Sequence, residues 1–437
     1  MAKTPYYLCT LFILCSLNVL AQRHRQIKRL INSSKILHDH FTGFALYDCD
    51  KDKMIYTLNA DKHFTPASNT KLFTYFTAKK MLGDSIPGIR YIIKGDSLIF
   101  WGTGDPTLYR PDFNSDKVHY FLKNAPQQLF WASTNYKGDF YGWGWPYGDY
   151  DADYQTEINA LPIAGNLVTF NTDSLTGKLH CFPSYFSTFV TIDYRDTTNK
   201  FTVKRPLMTN TFTVPNLTPP AQFTQQIPYK TSTDLTKALL EDTLKKPIQL
   251  IDLPMPINAQ TIYSEATDTV FRAMLWPSDN FIAEQLLLVC SSTIGANLST
   301  ATAIRYSKEN LLNEAPQLLH WVDGSGLSRM DLFTPESMVY LLRKIKEEIG
   351  DDNKLHHLLP EGGKKGTLKN TYTLDQNEPF VWAKTGTLTG VHNQSGYLTT
   401  RKGKQLIYSF MNNNFVEPTA EIRKEMVRIM TTIRMDY

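Results

Sequence analysis

Residues 43–82 read GFALYDCDKDKMIYTLNADKHFTPASNTKLFTYFTAKKML, and the succession of patterns within them decides the fold. Two apolar, partly alternating runs flank the polar turn Asp48 to Lys53, which predicts a β-hairpin over 43–58. A helix is predicted over 68–82, with Leu72, Phe73, Phe76 and Met81 as apolar residues and Gly83 as its stop. Ser68-Asn69-Thr70-Lys71 opens that helix. Residues three apart share a helical face, so Lys71 can reach the Ser68 hydroxyl. If burial and nearby positive charge strip its ammonium of a proton, Lys71 can take the hydroxyl proton and leave a nucleophile. The helix N-terminus favours the negative charge that then develops. Chance alone supplies roughly one or two such Ser–Lys spacings in a chain this long, so a capping serine and a solvated lysine remain the plain alternative.

Outward from this block the texture changes. From about 86 to 256, short β-prone runs such as 91–100 and 201–214 alternate with Pro-, Thr- and Asn-rich breaks such as 215–228. This stretch reads as an inserted, mainly β region. Helical texture returns over 263–291, 300–313 and 337–348. Strands are predicted over 380–384, 396–400 and 405–411, the last two joined at 401–404. A closing helix from Pro418 to about Met435 carries Ile422, Met426, Ile429 and Ile433 on one stripe. No repeat of solenoid or propeller period is visible. The expected architecture is α+β, with helices around a central antiparallel sheet, split by a large mainly β insert. The corresponding segments are 1–21, 22–85, 86–256 and 257–437.

Two further motifs follow the first in order. Ser278-Asp279-Asn280 precedes a helix over 281–289. A loop serine there could pass a proton to a leaving group, and the Asn280 amide could hold Lys71 and a substrate carbonyl. Ser133-Thr134-Asn135 has the same spacing, but its neighbours Phe130-Trp131-Ala132 read as a strand end rather than a helix–helix loop, so Ser278 is preferred. Lys384-Thr385-Gly386-Thr387 follows the strand residues Val381-Trp382-Ala383. A strand edge can pair with an extended peptide. Lys384 and Thr385 offer a cation and a hydroxyl to a carboxylate, and Gly386 would let a substrate backbone come close. This tetrapeptide arises by chance only about 0.1 times per chain of this length. A surface turn with a solvated lysine is the alternative reading.

The composition excludes several classes. The 437 residues are 42% hydrophobic, 20% charged and 12% aromatic, as in a globular protein rather than a coiled coil, collagen or disordered chain. The formal net charge of +4 is too small to argue for nucleic acid. Residues 1–21 carry Lys3, an apolar run over 6–20 and Val19-Leu20-Ala21, the pattern of a signal peptide cut after Ala21. The apolar run is shorter than the roughly 20 residues a bilayer span needs. The expected product is an exported, periplasmic protein with no stable membrane span. Arg23, Arg25, Lys28 and Arg29 share a predicted amphipathic helix with Ile27, Leu30 and Ile31. Cys9 and Cys15 leave with the signal. Cys49, Cys181 and Cys290 are far apart, with room for one bridge, but read more simply as small buried side chains. His38-Asp39-His40 suggests no third metal ligand, and neither metal nor cofactor is expected. No Ser-His-Asp set or phosphate loop is evident.

The three motifs together resemble those of penicillin-recognising serine enzymes. Gly102-Thr103-Gly104-Asp105-Pro106-Thr107-Leu108, Asp323-Gly324-Ser325-Gly326-Leu327-Ser328-Arg329 and Gly366-Thr367-Leu368-Lys369-Asn370 extend the likeness to class C low-molecular-mass penicillin-binding proteins. These are D-alanyl-D-alanine carboxypeptidase/endopeptidases. The likeness runs from about Phe44 to Asn414. It implies a transpeptidase-like (β-lactamase-like) domain split after the serine helix by a large insert. It also implies Ser68 as acylated nucleophile, Lys71 as base, and Ser278 and Asn280 in proton relay and the Lys71 hydrogen bond. Lys384 and Thr385 would bind the terminal carboxylate, and the N–H groups of Ser68 and Thr387 would form the oxyanion hole. Arg329, Thr389 and Asp149 match positions that read the free amino-acid end of a stem peptide, while Asp323 and Ser325 look like loop-shaping residues. Peptidoglycan stem peptides and covalent β-lactam inhibitors are the implied partners. A serine β-lactamase or esterase, and a non-catalytic wall-binding protein of the same fold, are the alternatives; no deacylating Glu loop is evident for the former.

Overall fold

The computed structural model describes residues 25–114 and 116–437. The signal-peptide reading of 1–21 and Arg23 lie outside the described residues. The hairpin forms as β1 (Phe41–Asp48) and β2 (Lys53–Leu58), and the C-terminal part supplies β3 (Val381–Leu388), β4 (Val391–Thr399) and β5 (Gln405–Asn413). They make one sheet in the order β3-β4-β5-β1-β2, antiparallel throughout. β1 is buried on both faces because helices cover both. Alternation sends Ala45 and Tyr47 to one side, with α1 (Lys71–Met81), α2 (Thr267–Leu275), α3 (Asn280–Ser292) and α4 (Pro335–Ile349). Phe44 and Leu46 face the other, where α5 (Thr419–Asp436) packs. The predicted stripe Ile422, Met426, Ile429 and Ile433 is fully used there, joined by Met430. Each such side chain contributes about 2 kcal/mol on burial. Ile27 and Ile31 sit in the same core, so the basic N-terminal helix docks on the protein with its apolar face.

A second five-stranded sheet joins Ile248–Leu250, Gln128–Trp131, Ser97–Gly102, Ser85–Lys94 and Gln260–Ala266, in that order. With two smaller sheets it surrounds a separate core that includes Phe100, Phe170, Phe186 and Phe212. Two helices, Lys117–Asn124 and Thr233–Leu244, interrupt its β texture. Gln260–Ala266 differs from expectation, since 263–266 reads as helix. Pairing with Ser85–Lys94 overrides the helical propensity, and α2 begins only at Thr267. β4 also begins earlier than predicted, at Val391 instead of 396. The motif Gly102–Leu108 stays outside the cleft and braces α3. Gln285 Nε2 donates to Gly104 O at 2.9 Å, and a Cβ on Gly104 would stand 2.6 Å from that of Leu288.

Cys49, Cys181 and Cys290 are all free. Cys290 is buried, and the other two are half-buried against the two cores. Among the described residues no helix is long and apolar enough to cross a membrane. His38 Nε2 lies 3.0 Å from Asn32 O and His40 Nε2 lies 2.8 Å from Asn412 Oδ1, so both rings have structural partners.

Candidate active site

The chain enters α1 through a tight turn, Ala67–Thr70, in 3₁₀ geometry. Ala67 has φ 48°, the left-handed region that costs a residue with a Cβ of order 1 kcal/mol. Its carbonyl accepts from Thr70 Oγ1 at 3.0 Å, and an antiparallel bridge between Phe64 and Phe333 holds the segment before it. Gly326 closes over this turn. It has φ 76°, and an added Cβ would stand 1.8 Å from Ala67 O. Gly326→Ala is therefore expected to destabilise the protein by about 3 kcal/mol or more, read as a lower urea midpoint at unchanged slope. A midpoint shift under about 0.5 kcal/mol would contradict the contact.

The turn sets Ser68 directly against Lys71, as the spacing predicts. Lys71 Nζ donates to Ser68 Oγ at 2.9 Å, to Asn280 Oδ1 at 2.6 Å and to Ser325 O at 2.7 Å. Its side chain is fully buried. Burial pushes its pKa down to about 8, while the carboxyls of Asp323, Glu284, Asp279 and Asp331 hold it from falling further. On losing a proton, Nζ exchanges one donated bond for a lone pair. Turned to Ser68, that lone pair accepts the hydroxyl proton.

Lys384 approaches from β3. Its Nζ donates to Ser278 Oγ at 2.8 Å and to Thr385 O at 2.7 Å. It too is fully buried, and burial, then the charge of Lys71, drive its pKa well down. Ser278 sits at φ 69° between α2 and α3, which turns its hydroxyl toward Lys384. Asn280 Nδ2 donates to Tyr154 O at 3.0 Å, fixing the amide so that its oxygen faces Lys71. The rival motif lies elsewhere, with Asn135 Nδ2 bonded to Gly102 O at 2.7 Å.

β3 is the edge strand of the main sheet, paired along its length with β4, and its outer side is bridged at its start, where Gly362 N donates to Val381 O at 2.9 Å and Ala383 N to Pro360 O at 3.1 Å. Beside it runs a cleft of about 610 Å³ lined by Ser68, Ser278, Asn280, Thr387, Thr389 and Arg329, with Asp149 and Tyr154 on the wall from the insert. Arg329 Nη2 donates to Thr389 O at 2.7 Å. Tyr154, hydrogen-bonded to Asp149, has its pKa raised to about 12, chiefly by burial. Thr385 Oγ1 donates to Thr367 Oγ1 at 2.8 Å, and Thr387 Oγ1 lies 2.8 Å from His392 Nδ1. Burial lowers the His392 pKa to about 4, so this ring is neutral at pH 7. The sequence expectation for Gly386 needs correcting. A Cβ there would meet Pro66 O at 2.5 Å and Ser68 N at 2.9 Å, so the glycine admits the nucleophile turn rather than a substrate backbone. Asn69 Nδ2 locks the same approach, donating to Lys384 O at 3.1 Å.

The structure thus gathers Ser68, Lys71, Ser278, Asn280 and Lys384 at one end of the cleft, and Arg329, Thr389 and Asp149 in its wall. Asn69, Tyr154 and Glu284 escape the sequence reading. Asn69 lies inside the first motif and could have been questioned there. Glu284, a lone charge in the apolar run FIAEQLLLVC, had only its conspicuousness as a signal.

Over residues 24–433 the chain matches the D-Ala-D-Ala carboxypeptidase 3 (S13) family. It belongs to that family. This S13 peptidase is a serine-type hydrolase of the class C low-molecular-mass penicillin-binding proteins. It is 26% identical over 428 residues to the D-alanyl-D-alanine carboxypeptidase of Actinomadura sp. (strain R39), covering 86% of this chain and 78% of the relative. It is 22% identical to the D-alanyl-D-alanine carboxypeptidase DacB of Haemophilus influenzae, covering 85% of each. The crystal structure of penicillin binding protein 4 (dacB) from Haemophilus influenzae superposes with a TM-score of 0.75 at 19% identity, over 93% of this chain and 99% of that one. That likeness establishes the shared fold.

Proposed function

We propose that this S13 peptidase is exported to the periplasm and cleaves peptidoglycan stem peptides through an acyl-enzyme on Ser68. The observation that carries the reading is the fully buried Lys71 Nζ, 2.9 Å from Ser68 Oγ, beside a cleft lined by Ser68, Ser278 and the Thr387–Thr389 end of β3. Neutral Lys71 accepts the Ser68 proton as Oγ attacks the carbonyl of the penultimate D-Ala. The N–H groups of Ser68 and Thr387 receive the oxyanion. The proton held by Lys71 passes by way of Ser278 to the amine of the departing residue, and the C–N bond breaks. Water then hydrolyses the ester, with Lys71 again as base. Lys384 holds the Ser278 hydroxyl and, with Thr385, supplies positive potential and a donor to the terminal carboxylate. Arg329, Thr389 and Asp149 offer a cation, a hydroxyl and a carboxylate to the free amino-acid end of the stem. A crosslinked peptide presents the same D-centre, so endopeptidase cleavage follows wherever the cleft admits the second strand. A β-lactam offers a strained amide beside a carboxylate and would acylate Ser68. The Haemophilus influenzae relative has been crystallised with a β-lactam, at a TM-score of 0.70 and 20% identity to this chain. The apolar run over 6–20 supports export.

Purified muropeptides supply the test. Pentapeptide monomers should lose one D-Ala, and crosslinked dimers should fall to monomers if the endopeptidase arm operates, both read by mass. A penicillin adduct should map to the peptide bearing Ser68. Absence of D-Ala release together with absence of the adduct would sink the proposal. The pH profile adds a signed expectation. The base works only after losing its proton, so acylation should rise with pH, reach half its maximum near the Lys71 value of about 8, and level off above it. A rate that falls as pH climbs from 6 to 9 would exclude Lys71 as the base.

A further inference from the structure

Two of the three partners of Lys71 are delivered by one helix. Asn280, at the first turn of α3, meets Nζ directly at 2.6 Å. Four residues on, and so on the same face, Glu284 is buried against the loop that carries Ser325. Its Oε2 accepts from Gly324 N at 2.9 Å and its Oε1 from Ser325 N at 2.7 Å. The Ser325 carbonyl then accepts from Lys71 Nζ at 2.7 Å. The loop runs tight along α3, since a Cβ on Gly324 would stand 2.6 Å from Ala283 O. Thr74, one turn after Lys71 on α1, donates to Gly324 O at 2.6 Å. Asp323 folds the loop from within, accepting from Gly326 N and Ser328 N at 2.7 Å each.

We propose that Glu284 is a positioning residue for the base: its carboxyl, clamped on two successive backbone N–H groups, fixes the Ser325 carbonyl against Lys71 Nζ and so aims that nitrogen at Ser68 Oγ. This rests on the reading of Lys71 as the base. Without the clamp, the ammonium keeps Asn280 and Ser68 as partners and is free to swing about that pair. Misplacement of a catalytic group by about 1 Å can cost on the order of 10²-fold in rate. The clamp also bears on the proton. Lys71 faces Lys384 from β3, Glu284 from α3, Asp279 at the start of that helix, and Asp323 and Asp331 from the loop. Burial and then Asp323 push the Glu284 pKa up, against the pull of its bonds to Ser325 and Gly324. Losing the anchored Ser325 carbonyl removes one acceptor of the ammonium and so weakens the hold on the Lys71 proton.

The test is acylation of the full chain by benzylpenicillin across pH 6–10, in wild type and in Glu284→Gln. The amide keeps the shape but faces an N–H group with its own NH₂. The variant should acylate about 10²-fold more slowly on the plateau, with the rising limb moved to lower pH, and should still label to completion at long times. A purely structural role would scale the rate with the folded fraction and leave the limb in place. That result, or a rate within about threefold of wild type with an unmoved limb, overturns the proposal. Should Glu284→Gln fail to fold, Thr74→Val removes a single anchor from the same loop. It should slow acylation by about fivefold, the worth of one hydrogen bond, and move the limb in the same direction. An unchanged profile there overturns the proposal equally. Wild type run in parallel separates the two readings. No adduct on wild-type Ser68 defeats the acyl-enzyme itself, whereas a normal wild-type profile with unmoved variants defeats only the role of Glu284.

Discussion

Ser68→Ala should give a folded protein that takes no covalent penicillin and releases D-Ala at less than about 10⁻⁴ of the wild-type rate. The fold should survive because the missing oxygen is only one of three acceptors for Lys71 Nζ, leaving Asn280 Oδ1 and Ser325 O in place. The turn itself is held by backbone and by Thr70, not by the serine side chain. Activity should vanish because, among the described residues, no other hydroxyl is both beside a buried lysine of lowered pKa and in the turn that leads into α1. Ser278 is the one alternative, being bonded to Lys384. Ser278→Ala run alongside separates them: it should slow turnover yet still label at Ser68. Full labelling of Ser68→Ala would move the nucleophile to Ser278.

Lys71→Met should be nearly as severe, with acylation down by about 10³-fold, inside the range expected when a positioned general base is lost. Methionine fills a similar volume without a charge. Stability should change little, because opposing effects meet at this site. Asn280 Oδ1 and Ser325 O lose a donor, at about 1–3 kcal/mol for a buried group left unpaired. Against this, a fully buried cation no longer has to be desolvated. Acylation of the variant within tenfold of wild type, with unchanged thermal unfolding, would rule Lys71 out as the base. The surviving rate should also lose the limb near pH 8, since the group that titrates there is gone.

Much of this could be read from the sequence, for reasons that differ between elements. β1, β2 and α5 announce themselves because their buried faces are apolar and periodic. The Ser68–Lys71 pair was readable because the helical repeat fixes their proximity. β4 reads short in the sequence because its buried face is built of amides and hydroxyls. Gln394 Oε1 accepts from Tyr372 and Tyr408 at 2.5 Å each, and Ser395 Oγ lies 2.9 Å from Ser409 Oγ. Such residues look like a loop until their partners are in view. Residues 263–266 read as helix in the sequence because their state is decided by a strand some 170 residues earlier. The roles of Gly386 and Glu284 had no local signature. One is defined by what a missing side chain would strike, the other by two N–H groups about 40 residues away.

The joining of β1 to β5 brings Thr42 against Asn412, 370 positions apart. A polypeptide emerging from its amino end cannot close this seam until almost its last residue has arrived. Ser68 and Lys71 come out early, but the carbonyl, the amide and the second amine that complete their surroundings come out late. A hydrolase wired in this way carries no assembled site while it is being made; the site exists only after that late seam has closed.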